Sequence, residues 1–283
     1  MQQKNIHWFP GHMKKALDEI EQRLKIVDVI IEIVDARAPL SSRNRHLYKL
    51  TEQKKRLIVV SKGDLADLKQ TNVLLLHLKK DNNSIVLLNL NDNKAINVIS
   101  KEVFDLGKEK REKELKKGMK PQPIRAMIIG IPNVGKSTLI NRLSKRNAAS
   151  VQNTPGHTKA QQWIKVNKDF ELLDTPGVLP PNYDDSLTSM HLSLIGSIKD
   201  NILPLDELCS YLYDFLNVNY KDTLKNRYGD SNNINEMLEN IAQKRGYMSG
   251  GVPNIDKSYI TFLKEFREGK LGLVTLDRID KNA

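Results

Sequence analysis

The chain has 283 residues, enough for one large domain or two ordinary ones. Its 45 lysines and arginines outnumber 34 acidic residues, a formal charge of +11 that favours a polyanionic partner such as nucleic acid. The single cysteine, Cys209, excludes an internal disulfide framework and a four-thiolate zinc site, and no apolar run approaches the ~18 residues of a membrane span.

The opening segment, MQQKNIHWFPGHMKKALDE, lacks the apolar centre of a signal peptide, so a soluble cytoplasmic protein is expected. Residues 12–25 place Met13, Ala16, Leu17, Ile20 and Leu24 at helical spacing. Residues 29–34 form an apolar, β-branched run that reads as a buried strand, and residues 57–60 form a second. The polar stretch 41–55 between them is expected to hold a helix. A helix is predicted over 72–80 and a third strand over 84–90. Residues 95–120 read as one long helix with a basic end, closed by Pro121. The sequence IRAMIIG predicts a strand, STLINRLSKR a helix, and WIKV with FELLD a strand hairpin. From about residue 186 only helical patterns follow: LDELCSYLYDFL, YKDTLKNRY, INEMLENIAQKRGY and KSYITFLKEFREGKL. The predicted architecture is an α/β domain over 1–180 and a small all-α domain over 181–283, with a linker at about 178–190.

Between the fourth predicted strand and its helix lies GIPNVGKST, where Gly130, Gly135, Lys136 and Ser137 match G-x-x-x-x-G-K-[ST]. Such a loop turns backbone N–H groups toward phosphates at a helix N-terminus. The phosphate-binding set is therefore Asn133, Val134, Gly135, Lys136, Ser137 and Thr138. Lys136 neutralises the β- and γ-phosphates, and Ser137 ligates Mg²⁺. The sequence DTPG ends a strand some forty residues later. There Asp174 suits Mg²⁺ and the Gly177 N–H suits the γ-phosphate. Thr158 is the candidate to close over the metal, with Thr154 the alternative.

A guanine reader needs a carboxylate at a strand end for N1–H and the exocyclic amine. Nothing after residue 138 supplies it. Upstream, SKGD follows the second strand: Asp64 is placed to read the base, Lys62 to lie along it, and Ser61 and Gly63 complete the motif. Asn89 and Leu90 fall where a second base-side loop belongs. The motif order is thus base reader, phosphate loop, DTPG. A circular permutation of that kind is tolerated when the old termini lie close together. The fold class predicted is an α/β, P-loop GTPase domain with circularly permuted motif order, followed by the all-α domain.

WFPGHM, DAR-x-P, SSRN, GIPNVGKSTLINRL, QQW, LLDTPG and KRG-x-MSGG together resemble the circularly permuted GTPases that act in assembly of the bacterial large ribosomal subunit. The resemblance spans nearly the whole chain. It implies GTP and GDP as ligands, Mg²⁺ as cofactor, and a monomer that docks on a late large-subunit precursor through rRNA and ribosomal proteins. It also implies a C-terminal RNA-binding module. Ser61 departs from the family's asparagine. An asparagine amide can bond guanine N7 and also tie the motif to the phosphate loop. A serine hydroxyl is too short for both, which predicts a weaker guanine preference. Val178 stands where many GTPases place a water-orienting glutamine, so turnover without a partner is expected to be slow. The resemblance implies that His12 swings toward the γ-phosphate, with His157 the alternative, and that Asn133 coordinates K⁺. Because DTPG leads straight into the helical domain, a change there is expected to reorient it.

Arg37, Arg43 and Arg45, the run 108–120 with seven basic against three acidic residues, and Lys244 with Arg245 are the candidate RNA contacts. Two other readings compete: a P-loop ATPase or small-molecule kinase, and an RNA-binding scaffold whose nucleotide is structural.

Overall fold

The computed structural model describes residues 11–80, 82–92, 94–144, 162–175, 177–179, 185–199 and 203–279. Its centre is β1 (Val29–Asp35), in which every residue is buried. Burial on both faces is what a β-branched run without alternation dictates in a parallel sheet. β2 (Lys55–Ser61) pairs with it in parallel, with Asp35 opposite Ser61 at the C-terminal edge. Alternation along β2 sends Leu57 and Val59 into the large core, and Ile58 and Val60 into a second apolar cluster on the other face. β3 (Asn83–Leu87), β4 (Ile124–Ile129), β5 (Gln162–Lys165) and β6 (Phe170–Asp174) complete a six-stranded sheet among the described residues. The order is β3-β2-β1-β4-β6-β5, with β5 alone antiparallel. The strand carrying the phosphate loop, β4, therefore sits directly beside β1 from the chain's first half.

Helices α1 (Gly11–Leu24), α2 (Arg45–Leu50), α3 (Leu68–Leu76), α4 (Lys94–Leu106), α5 (Lys108–Lys116) and α6 (Lys136–Ser144) belong to this unit. α3 starts and ends four residues before the helix expected at 72–80. Asp67 fixes its start by accepting hydrogen bonds from the N–H groups of Lys69 and Gln70. The expected third strand over 84–90 ends at Leu87. The long helix expected over 95–120 is two helices, α4 and α5, parted at Gly107. A Cβ at Gly107 would lie 2.4 Å from Cδ1 of Ile124, so the turn rests directly on the first residue of β4.

The remainder is α7 (Ser186–Leu194), α8 (Leu205–Asn219), α9 (Thr223–Tyr228), α10 (Ile234–Arg245) and α11 (Ile255–Arg267). α7 escaped the sequence reading because its buried face includes Ser189, His191 and Ser193 rather than an apolar stripe. A short hairpin, β7 (Met248–Ser249) with β8 (Val252–Pro253), interrupts a region expected to be entirely helical. Leu208, Leu212 and Leu216 of α8 and Phe262 and Phe266 of α11 build the local core. Glu265 is buried among Arg227, Arg245 and the Tyr228 hydroxyl. Burial pushes its carboxyl up. Hydrogen bonds from Arg227 and Tyr228 and the charges of Arg227 and Arg245 outweigh that and bring it to about 2.

After α11 the chain returns to the nucleotide-side unit as an extended strap. Val274 N–H donates to Leu65 O (3.2 Å) and Leu276 N–H to Arg37 O (2.6 Å). Asp277 accepts from the N–H groups of Leu40 (2.6 Å) and Ser41 (3.0 Å) and from Ser41 Oγ (2.5 Å), and it meets His191 Nδ1 at 3.0 Å. The last described residues thus tie the loops after β1 and β2 to α7. No described helix is long and apolar enough to cross a membrane.

Candidate nucleotide site

The site forms where β1, β2, β4 and β6 end. β4 runs into the loop 130–135, and α6 begins at Lys136. The loop's curvature needs positive φ at Asn133 (61°) and Gly135 (103°). Gly135 also permits close approach: a Cβ there would lie 3.0 Å from Leu90 Cδ1 and 3.8 Å from Ser61 Cβ. The loop after β3 and the SKGD motif therefore converge on the phosphate loop.

Two side chains lock that convergence. Ser61 is fully buried, and its hydroxyl lies 2.6 Å from Val134 O and 3.0 Å from Val34 O. The serine thus keeps the tie to the phosphate loop, the first of the two tasks of an asparagine there. Lys62 has φ 57°, donates to Asn133 O (2.7 Å), and pairs with Asp35 (2.9 Å). Burial lowers the Lys62 ammonium's pKa, and the Asp35 charge counters it. Burial would raise Asp35 in turn. The charges of Arg37 and Lys62 prevail and hold its carboxyl well below the usual carboxylate range. Asp64, in the helical turn Gly63–Leu65, is exposed and accepts no hydrogen bond from the described residues. Asn89 is exposed and holds Asn91 N–H at 2.8 Å, while Leu90 is buried beside Gly135.

At the phosphate end, Lys136 is buried and donates to Gly130 O (3.1 Å) and Ile131 O (2.7 Å). Burial brings its ammonium down to about 8, opposed by the Asp174 charge. No described carboxylate comes within ion-pair distance of it. Burial likewise pushes Asp174 up to about 6, against the pull of Lys136. Asp174 Oδ1 is buried with no hydrogen-bond partner. Ser137 Oγ makes no hydrogen bond to the described residues, and it lies in the first turn of α6. An orphaned carboxylate oxygen at the end of β6 and a hydroxyl in the first turn of the phosphate-loop helix are donors of the kind that Mg²⁺ and its waters fit. Gly177 lies against the loop: a Cβ on it would stand 2.9 Å from Lys136 Nζ and 2.9 Å from Pro132 N. Val178 follows, fully buried, its N–H donating to Gly130 O (3.3 Å). Asn133 Nδ2 donates to Gly196 O (2.7 Å), which links the phosphate loop to the turn after α7. Thr138 lies in the first turn of α6. His12 lies in the first turn of α1, with its side chain outside the description. Thr154, His157 and Thr158 fall outside the described residues.

The proposed arginine cluster is corrected. Arg37 is buried in a two-pronged pair with Asp35 (3.0 and 2.8 Å), and Arg43 pairs with Glu32 (2.9 and 2.8 Å), which Arg56 also holds. Both arginines neutralise carboxylates of β1, Arg37 buried and Arg43 half-buried; Arg45 is exposed. Arg245 is engaged by Glu265 and Lys244 Nζ by Arg227 O (3.4 Å). The sequence reading missed these pairs. Their signal was the presence of Glu32 and Asp35 inside an apolar strand, where a charge needs a partner.

This strand order, with the phosphate loop on β4 and a base-side motif on β2 two strands away, defines a P-loop nucleotide-binding domain of permuted motif order. The family model described as 50S ribosome-binding GTPase matches residues 125–244. Ribosome biogenesis GTPase A of Bacillus cereus is 44% identical over 280 residues, covering 96% of this chain and 93% of that protein. The protein of the same name from Bacillus licheniformis is 43% identical over 278 residues, covering 96% and 98%. Among solved structures, GNP-bound YlqF from Thermotoga maritima matches with a TM-score of 0.65 at 26% identity, over 93% of this chain and 98% of that one. The chain belongs to the ribosome biogenesis GTPase A family. It is a GTP hydrolase.

Proposed function

We propose that the chain hydrolyses GTP on an immature large (50S) ribosomal subunit and couples that step to late assembly and to its own release. The observation that carries this reading is the direct lock between the base-side and phosphate-side motifs through Ser61 and Lys62. It is supported by full-length similarity to proteins named for ribosome biogenesis. Asp64 reads guanine, Lys62 covers its face, and Gly63, Asn89 and Leu90 shape the base end. The loop 133–138 and Lys136 hold the phosphates. Ser137, Asp174 and Thr158 would hold Mg²⁺, which when bound supplies charge neutralisation at the β–γ bridge. Gly177 N–H contacts the γ-phosphate. With Ser61 committed to Val134, guanine N7 goes without its asparagine partner, and base preference is weakened.

Val178 presents a buried aliphatic chain where a water-orienting group is needed, so turnover is slow until the particle places one. His12 is that group, with His157 the alternative. Asn133 supplies a K⁺ ligand near the same bridge. Replacing K⁺ by Na⁺ at constant ionic strength tests this, since equal rates would leave Asn133 a purely structural role. Residues 1–180 act as the GTPase domain and 181–283 as the RNA-binding domain of a cytoplasmic monomer. The partners are rRNA and ribosomal proteins, with no membrane.

The deciding experiment sediments the protein with large-subunit precursors under GDP and a GTP analogue, then measures turnover on the same particles. GTP-dependent co-sedimentation and stimulated hydrolysis are expected. Binding without stimulation would favour the scaffold reading, and equal use of ATP the P-loop ATPase.

A further inference from the structure

At the end of the sheet opposite the nucleotide loops, α5 and the start of β2 border a groove of about 520 Å³. Lys110 and Lys113 of α5 and its C-cap residue Lys117 line one wall, and Lys54 and Lys55 line the groove at the start of β2. The acidic groups of the groove are already engaged. Asp28 takes Lys110 Nζ (2.9 Å) and Arg125 N–H (2.9 Å), Glu114 takes Gln122 N–H (2.9 Å), and Glu109 takes Lys113 (2.6 Å). Lys54 donates only to a neutral carbonyl, Val27 O (2.8 Å). Lys55 and Lys117 are exposed with no described carboxylate in ion-pair distance, and so are the flanking Lys116 and Lys120. Positive charge that no ion pair among the described residues takes up is thus concentrated along one concave edge.

The lining chemistry selects the occupant. Protein interfaces centre on aromatic and apolar anchors and are poor in lysine. This groove has five lysines and no aromatic side chain. Without a stacking platform, single-stranded bases have nothing to dock on. A continuous phosphodiester backbone fits, read by shape and charge as in folded RNA. Position adds a second point. Lys55 and Ser61 are the two ends of β2, which at ~3.3 Å per residue puts the groove about 20 Å from the base-side motif. α5 is also the segment through which the permuted chain passes from its base-reading half to β4.

We propose that this groove is a docking site for the phosphate backbone of folded ribosomal RNA, and that it adds the same factor to particle affinity whichever nucleotide is bound, on top of the GTP-dependent contacts. It rests on the ribosomal reading above and assigns a surface to it. The test is the triple variant Lys55→Gln, Lys116→Gln and Lys117→Gln, all exposed positions away from the nucleotide. Its binding to large-subunit precursors is titrated against KCl with GDP and with a GTP analogue. Affinity should fall by the same factor in both states. The slope of log affinity on log salt should shrink by about 2 to 3, at ~0.7–0.9 per lost phosphate contact. GTP turnover without particles should be unchanged. Wild-type affinity and slope in the variant would overturn the proposal. A loss with an unchanged salt slope would assign the groove to a protein instead, and a loss confined to the GTP state would remove nucleotide independence. Absence of particle binding by the wild type would defeat the ribosomal reading itself, and this anchor with it.

Discussion

Ser61→Ala removes one oxygen from the contact between the two halves of the nucleotide site. That hydroxyl carries a single proton, lies 2.6 Å from Val134 O and 3.0 Å from Val34 O, and is fully buried. Deleting it leaves a buried carbonyl without its donor, a cost of about 1–3 kcal/mol. For a chain of this length each kcal/mol corresponds to roughly 2–4 °C in melting temperature. Val134 belongs to the phosphate loop, so part of the loss appears as weaker GDP binding, with about 1.4 kcal/mol expressed there giving tenfold. Thermal melts with and without GDP, together with calorimetric titration of GDP, separate the two shares. Ser61→Asn is the informative contrast, because a longer amide reaches toward the base while keeping the tie, and GTP should gain on ATP. A Ser61→Ala protein that melts and binds GDP like the wild type would refute the lock.

Gly177→Ala should lower stability by about 1–3 kcal/mol, the usual cost of overpacking, because its Cβ would meet Pro132 backbone atoms at 2.9 and 3.0 Å. Binding of a GTP analogue should fall more than binding of GDP, measured by paired titrations, since only the former presents a γ-phosphate. Acid should weaken the helical unit through Glu265. Its folded carboxyl lies at about 2, below its ordinary 4.5, so the stability it contributes is complete above the ordinary value and disappears as pH falls through that interval. Urea unfolding followed from pH 6 to 2 should show a steeper decline for the wild type than for Glu265→Gln.

The strands were legible because a sheet covered on both faces needs nearly unbroken apolar runs, and residues 29–34, 57–60 and 126–129 supply them. Helix ends were less so. Asp67 begins α3 before its apolar run, and the break at Gly107 follows from contact with Ile124, seventeen positions away. The phosphate loop and SKGD could be read from spacing. The hydrogen bond joining Ser61 to Val134 could not, since it spans 73 residues. The arginines misled because charge alone does not distinguish a solvated side chain from one neutralising a buried carboxylate, as Arg37 does for Asp35. The strap through Asp277 had no sequence signal at all, because its partners, Ser41 and His191, lie in two other parts of the chain.

The central claim is that Asp64 and Lys136 serve opposite ends of one guanine nucleotide. Competition between GTP and xanthosine triphosphate for the Asp64→Asn variant tests it most directly. An asparagine amide can donate to the xanthine carbonyl that replaces guanine's amine, so the variant should lose GTP and take up the xanthine nucleotide. An unchanged preference for GTP would show that the base is read elsewhere.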